Sequence, residues 1–183
     1  SLPIVYLNLV VDGGAANDPG DKLGLANIAN EMLVRGTLKH SKNEFNEALN
    51  SLGGNIDVDV RNEGIVFRAA VLSENLDAFL DLFKDALLEP KLASDELGKL
   101  KKEVVGEILE QKGNDKTLVQ HHFYRFFYGS HAYGNPVLGT LKTVENISSK
   151  DVSAYFDRSF GSHTLKLYGS GAAKIDSVEK WFA

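Results

Sequence analysis

Gly24-Leu25-Ala26-Asn27-Ile28-Ala29-Asn30-Glu31-Met32-Leu33-Val34-Arg35-Gly36-Thr37 reads as one buried helix stopped by a glycine, and the rest of the chain is organised around it. At about 100° per residue, Leu25, Ile28, Ala29, Met32 and Leu33 share one face, and Asn27, Asn30, Glu31 and Val34 share the opposite one. The helix therefore has an apolar back and a narrow polar stripe. Asn27 and Glu31 stand four residues apart with Asn30 beside them, which is how a helix offers two side chains to one small object. A metal site uses this spacing, but two amides and one carboxylate are the wrong donors for zinc, which takes imidazole nitrogen or thiolate sulfur.

Gly24-Leu25-Ala26, five residues, then Met32-Leu33-Val34-Arg35-Gly36-Thr37 resembles the signature helix of the pitrilysin, insulinase and mitochondrial-processing-peptidase family of zinc proteases. In active members those five residues are the inverted motif H-x-x-E-H, in which two histidines hold zinc and the glutamate activates water. Carried over residue by residue, the resemblance puts Asn27 at the first ligand position, Asn30 at the base and Glu31 at the second ligand. An amide cannot accept the proton that activates water. The resemblance thus implies a non-catalytic member, with no zinc in this chain and zinc in a catalytic partner. Glu107 follows Glu31 by 76 residues, about the interval to the third zinc ligand of active relatives, and Lys101–Ile108 resembles the sequence around that ligand. His131-Ala132-Tyr133-Gly134 followed by Pro136–Thr140 resembles a further family segment, with alanine where proline is usual.

Read outward from this helix, Ile4–Val11 is a buried strand, and Asp18-Pro19-Gly20 is a turn feeding Gly24. Ser41-x-x-Glu44 is a capping box opening a helix from Lys42 to Leu52, which stops at Gly53-Gly54. Ile56, Val58 and Val60 alternate with charges, Asn62-Glu63-Gly64 reverses the chain, and Ile65–Leu72 completes a hairpin. Ser73 opens a helix ending before Pro90. Ser94 opens a long one with Leu97, Leu100, Val104 and Ile108 inward and Glu107 on or at the edge of the apolar face. Thr117–Tyr128 is amphipathic and aromatic, Gly129–Thr140 is loop, Ser148-x-x-Asp151 opens a helix to Phe156, and Thr164–Tyr168 is a last strand. Asp176–Ala183 begins a helix. The expected architecture is α+β, two layers, a mixed and mainly antiparallel sheet with helices packed on it. Residues 1–160 form one domain, and residues 161–183 are the truncated start of a second, homologous one.

The 183 residues carry 43% hydrophobic and 25% charged side chains, ordinary values for a globular chain. A net charge of −5 argues against non-specific nucleic-acid binding, and no apolar run is long enough to span a membrane. The absence of cysteine removes disulfides, thiol nucleophiles and cysteine-ligated zinc, and leaves bacterial cytoplasm and periplasm equally open. Ser1 at the head, with no leader, points to a fragment or mature product.

A weaker metal site is conceivable if Glu31 and Glu107 converge with Asn27 as oxygen ligands for Mg²⁺, Ca²⁺ or Mn²⁺; the plainer alternative pairs Glu31 with a lysine or arginine. The five histidines read as structural: His121 and His122 are about 100° apart on one helix, and His40, His131 and His163 sit in loops or at element ends. The resemblance implies one half of a zinc-peptidase clamshell that binds an extended peptide and supports a catalytic homologue bearing H-x-x-E-H. The alternatives are a stand-alone peptide-binding or structural module, and a metal-dependent peptidase in its own right.

Overall fold

The computed structural model describes residues 3–160, 165–172, 178 and 181. Four strands, β1 (Ile4–Asp12), β2 (Asn55–Val60), β3 (Gly64–Leu72) and β4 (Leu165–Gly171), form one sheet in the order β2-β3-β1-β4. Every pairing among them is antiparallel. On β1, Val5, Leu7, Leu9 and Val11 are buried, whereas Tyr6 on the other face is half exposed. Ile65, Phe67, Ala69 and Val71 of β3 alternate the same way, so one sheet face carries the core and the other faces solvent.

The helices that cover the inner face are α1 (Leu25–Leu33), α2 (Lys42–Ser51), α3 (Leu76–Leu88), α4 (Ser94–Gly113) and α7 (Ser149–Phe160). Phe79 and Phe83 of α3 are fully buried, with Phe83 centred 6.1 Å from Phe67 of the sheet. The Ser41–Glu44 capping box forms as its spacing predicts. Ser148 and Asp151 cap α7 reciprocally, the backbone N–H of Ser148 donating to Asp151 at 2.7 Å and that of Asp151 to the Ser148 hydroxyl at 3.3 Å.

Several elements differ from their expected bounds. Helix α1 ends at Leu33 because Gly36 takes φ +113° and Thr37 turns away to bridge Pro90. Helix α7 runs on to Phe160. Helix α5 (Asp115–Tyr128) starts two residues earlier than expected, capped by Asn114. The short helix α6 (Leu141–Asn146) follows a Thr140–Thr143 capping box, and Ala132–Gly134 forms a 3-10 turn in the expected loop.

The division expected at residue 160 falls inside one sheet. Leu165–Gly171 hydrogen-bonds along β1, pairing Val11 with Leu165 and Val5 with Gly171. Trp181 stacks 5.8 Å from Phe83 and donates its indole N–H to the Leu80 carbonyl at 2.8 Å. Thr164, His163 and most of the helix expected over Asp176–Ala183 lie outside the described residues.

Candidate functional site

Helix α1 is fixed at its start by groups outside the polar stripe. The Asp18 carboxylate accepts from the backbone N–H of Gly24 and of Ala26, each at 2.9 Å, satisfying orphan donors of the first turn. Burial pushes the Asp18 carboxyl up to about 6, against those same N–H groups and the charge of Arg158. Gly24 adopts φ +95°, and a Cβ there would lie 2.5 Å from the Leu138 carbonyl oxygen. Gly139 has φ +77°, and its Cβ would meet the Leu23 carbonyl oxygen at 2.0 Å. Two glycines thus let the Pro136–Thr140 loop lie directly against the entry to α1.

Along α1 the apolar back is buried as expected, with Leu25, Ile28, Ala29, Met32 and Leu33 all in the core. Asn30 is buried as well, only 1% exposed, although it was placed on the polar stripe. Helix α7 covers that side of α1. The Asn30 amide donates to the Ala26 carbonyl at 2.8 Å and to the Tyr155 hydroxyl at 3.3 Å. Its Oδ1 has no protein partner among the described residues. Asn30 is therefore an internal tie between α1 and α7.

Asn27 and Glu31 are partly buried. Burial raises the Glu31 carboxyl above its ordinary range; Arg35 opposes this, while the charges of Glu107, Asp57 and Glu103 add to it. Arg35 is shared, since its guanidinium makes a two-point hydrogen-bonded pair with Glu103 and lies 3.9 Å from Glu96. Glu107, expected on or at the edge of the apolar face of α4, is exposed. At about 100° per residue it lies about 20° round the helix from the buried Leu100 and about 60° from Val104, at the border of the core stripe. Its charge nevertheless reaches Glu31, so α1 and α4 do bring the two carboxylates near each other.

Zinc does not fit this donor set. Asn27 is a neutral amide, Asn30 is committed to Ala26 and Tyr155, and Glu31 stands among carboxylates. Among the described residues, no three histidine, cysteine, aspartate or glutamate side chains are grouped to hold an ion. His121 and His122 are exposed, His131 accepts from the Tyr133 backbone N–H at 3.3 Å, and His40 lies 3.4 Å from the Thr37 hydroxyl. Beside α1 runs β2, whose outer side is a free border of the sheet among the described strands.

Two residues that shape the site are not marked as such by local pattern. Asp18 sits in an obvious turn, and its role as the acid stapling α1 would follow only from knowing how the chain folds back over six residues. Tyr155 lies 125 residues from Asn30 and leaves no periodic signal.

No helix is long and apolar enough to cross a membrane among the described residues. A solved structure described as a peptidase M16 inactive domain from Pseudomonas fluorescens superposes with a TM-score of 0.87 at 22% identity, over 99% of this chain and 44% of that one. A protease structure from Helicobacter pylori gives 0.89 at 17% identity over 99% and 44%. At these identities the likeness shows the fold. In sequence, an uncharacterized zinc protease of Rickettsia felis is 24% identical over 174 residues, covering 95% of this chain and 42% of the relative. The non-peptidase homolog YmxG of Helicobacter pylori is 24% identical over 179 residues, covering 98% and 41%. The chain thus spans less than half the length of these relatives. The sequence profile of the insulinase family matches residues 2–141, and the chain belongs to that family of peptidases, M16.

Proposed function

We propose that this chain is the non-catalytic half of an M16-type assembly, binding an extended peptide beside a homologue that carries an intact H-x-x-E-H motif and its zinc. The observation that carries this is the state of Asn30. At the position where the family motif places the base, the chain has an amide that donates to Ala26 and Tyr155 in the interior and cannot take a proton from water. Asn27 and Glu31, at the positions that correspond to the ligands, supply no imidazole. The scaffold around them is otherwise intact, and one relative is called a non-peptidase homolog.

Peptide binding is supported by β2. Its inner edge is paired with β3, and its outer edge is the border of the sheet beside α1. An extended peptide can add there through main-chain hydrogen bonds, which depend little on its sequence. Asp57 and Asp59 on β2 are paired with Arg68, and Asp59 also with Arg61, so their charges are met within the hairpin and leave recognition to the main chain.

The test is a peptide-cleavage assay on the purified chain, alone and with a catalytic M16 homologue, with and without a metal chelator. The expected result is no turnover by the chain alone and chelator-sensitive turnover that the chain increases when the homologue is present. Chelator-sensitive cleavage by the chain alone would overturn the proposal.

A further inference from the structure

Helix α5 lies along the loop over residues 133–140, and the seam between them is a groove with two chambers. One, of about 220 Å³, is edged by His121, His122 and Arg125 of α5 and by Tyr133 and Pro136 of the loop. The other, of about 120 Å³, shares His121 and Pro136 with the first and reaches Lys112 in the last turn of α4. Spacing gathers the basic groups of α5: His121 and Arg125 stand four residues apart, His122 and Arg125 three.

Among the described residues no aspartate or glutamate lines either chamber, so the groove is basic in a chain whose net charge is −5. Arg125 also differs from arginines elsewhere in the fold. Arg35 pairs with Glu103, and Arg61 and Arg68 pair with Asp59. Arg125 donates to the neutral Asn135 amide oxygen at 3.2 Å, and its charge meets no carboxylate among the described residues. That hydrogen bond steadies the guanidinium and leaves most of its five donors for a ligand. Beside it the Tyr124 hydroxyl accepts from the Gln120 amide at 3.2 Å, which leaves its own hydrogen to donate.

We infer that this groove binds an organic anion with two carboxylates, one held at Arg125 and the other at Lys112, with His121 between them. A guanidinium meets a carboxylate with two parallel N–H donors, and a lysine ammonium meets the second as a point charge. Positive charge in two joined chambers calls for an elongated ligand charged at both ends, and Pro136 and Tyr133 along the wall suit the carbon chain that joins them. Inorganic phosphate concentrates its charge at one point and would leave that wall and one chamber unfilled. The carboxylates can belong to a free diacid or to acidic side chains of a peptide, since the chemistry recognised is the same. The groove includes no residue of β2, and binding there does not depend on the function proposed above.

The test titrates the 183-residue chain with glutarate, butyrate, inorganic phosphate and an N-acetylated, amidated Glu-Glu dipeptide at fixed ionic strength, following backbone ¹H–¹⁵N shifts. Glutarate should saturate shifts at residues 112, 121–125 and 133–135, and bind about fivefold more tightly than butyrate, the upper range for one exposed charge pair. Arg125→Gln should weaken both acids by about tenfold or more, as loss of a charged hydrogen-bonding group does. Lys112→Gln should remove the advantage of glutarate and leave butyrate unchanged. Both positions are exposed, so both variants keep the wild-type melting curve. Overturning results are no saturable binding, shifts that saturate elsewhere, phosphate binding as tightly as glutarate, or an unchanged affinity in Arg125→Gln. The dipeptide names the source: binding tighter than glutarate assigns the groove to acidic peptides, equal or weaker binding assigns it to free diacids, and either order upholds the inference. A chain that binds glutarate and adds nothing to the cleavage assay would refute the proposed function while leaving this inference standing.

Discussion

Replacing Asn30 with aspartate changes one amide nitrogen to oxygen with almost no change in shape, and so isolates what that buried group does. In the wild type the amide donates to the Ala26 carbonyl at 2.8 Å and the Tyr155 hydroxyl at 3.3 Å, at 1% exposure. An ionised aspartate donates to neither and points negative charge at the Ala26 carbonyl. Full burial raises a carboxyl by as much as about 3–5 pH units. The Tyr155 hydroxyl can turn to donate to the new carboxylate, so a rise of about 2–3 units is the better figure. At about 1.4 kcal/mol per unit this destabilises the fold at pH 8 by about 3–4 kcal/mol, a large fraction of an ordinary domain's total. With a urea slope of about 2–3 kcal/mol per molar, the midpoint falls by about 1–2 M. The sign follows from linkage: the aspartate's folded pKa lies above its unfolded value. The variant is therefore near wild type below about pH 4 and loses stability as pH rises through the folded value. Urea titrations at pH 4 and pH 8 decide it. An Asn30→Asp midpoint at pH 8 within about 0.3 M of wild type would refute the assignment of Asn30 as an internal tie, and so would an equal loss at both pH values.

Glu31→Gln should act in the opposite direction. Burial, with Glu107, Asp57 and Glu103, disfavours the ionised Glu31 carboxylate more than Arg35 favours it. The folded pKa is raised, so the wild type loses stability as pH rises through it, and the glutamine variant should gain in urea midpoint at pH 8 with the gain vanishing toward pH 4. Gly139→Ala puts a Cβ 2.0 Å from the Leu23 carbonyl oxygen at φ +77°, and should destabilise by about 2–4 kcal/mol in thermal or urea unfolding. Its hydrogen-exchange map should show α1 amides losing protection, because that close approach holds the start of α1.

What could be read in the sequence was whatever is encoded locally. The Ser41–Glu44 box, the β2–β3 hairpin and the apolar stripe of α4 each depend on residues within a few positions of one another, and each forms as expected. The Thr140–Thr143 cap of α6 lacks the glutamate or glutamine that usually marks such a box, so no local signal opens that helix. Amphipathicity showed that α5 has an apolar side but could not say which way it would face. That depends on Tyr133 and Asn135 arriving beneath its polar side. Asn30 falls on the polar stripe of α1 by spacing yet is buried for the same reason, since only the fold brings Tyr155 over it.

The identity of residues 27 and 31 has little bearing on whether α1 forms, because little of what holds the helix passes through those positions. Its first turn is held by Asp18, its entry by the Gly24 and Gly139 approach, and its back by Leu25, Ile28, Met32 and Leu33 in the core. Residues 27 and 31 lie only partly buried on the other side. A histidine there is under chemical constraint and hardly any packing constraint, so once the chemistry is dispensable the position is open to asparagine or glutamate. Position 30 is the exception. Its burial demands a polar group that can satisfy Ala26 and Tyr155 without charge, and asparagine meets that demand where a glutamate would bury a carboxylate against a backbone carbonyl. An uncharged amide at 30 therefore suits the interior between α1 and α7, where an ionised carboxylate would be destabilised.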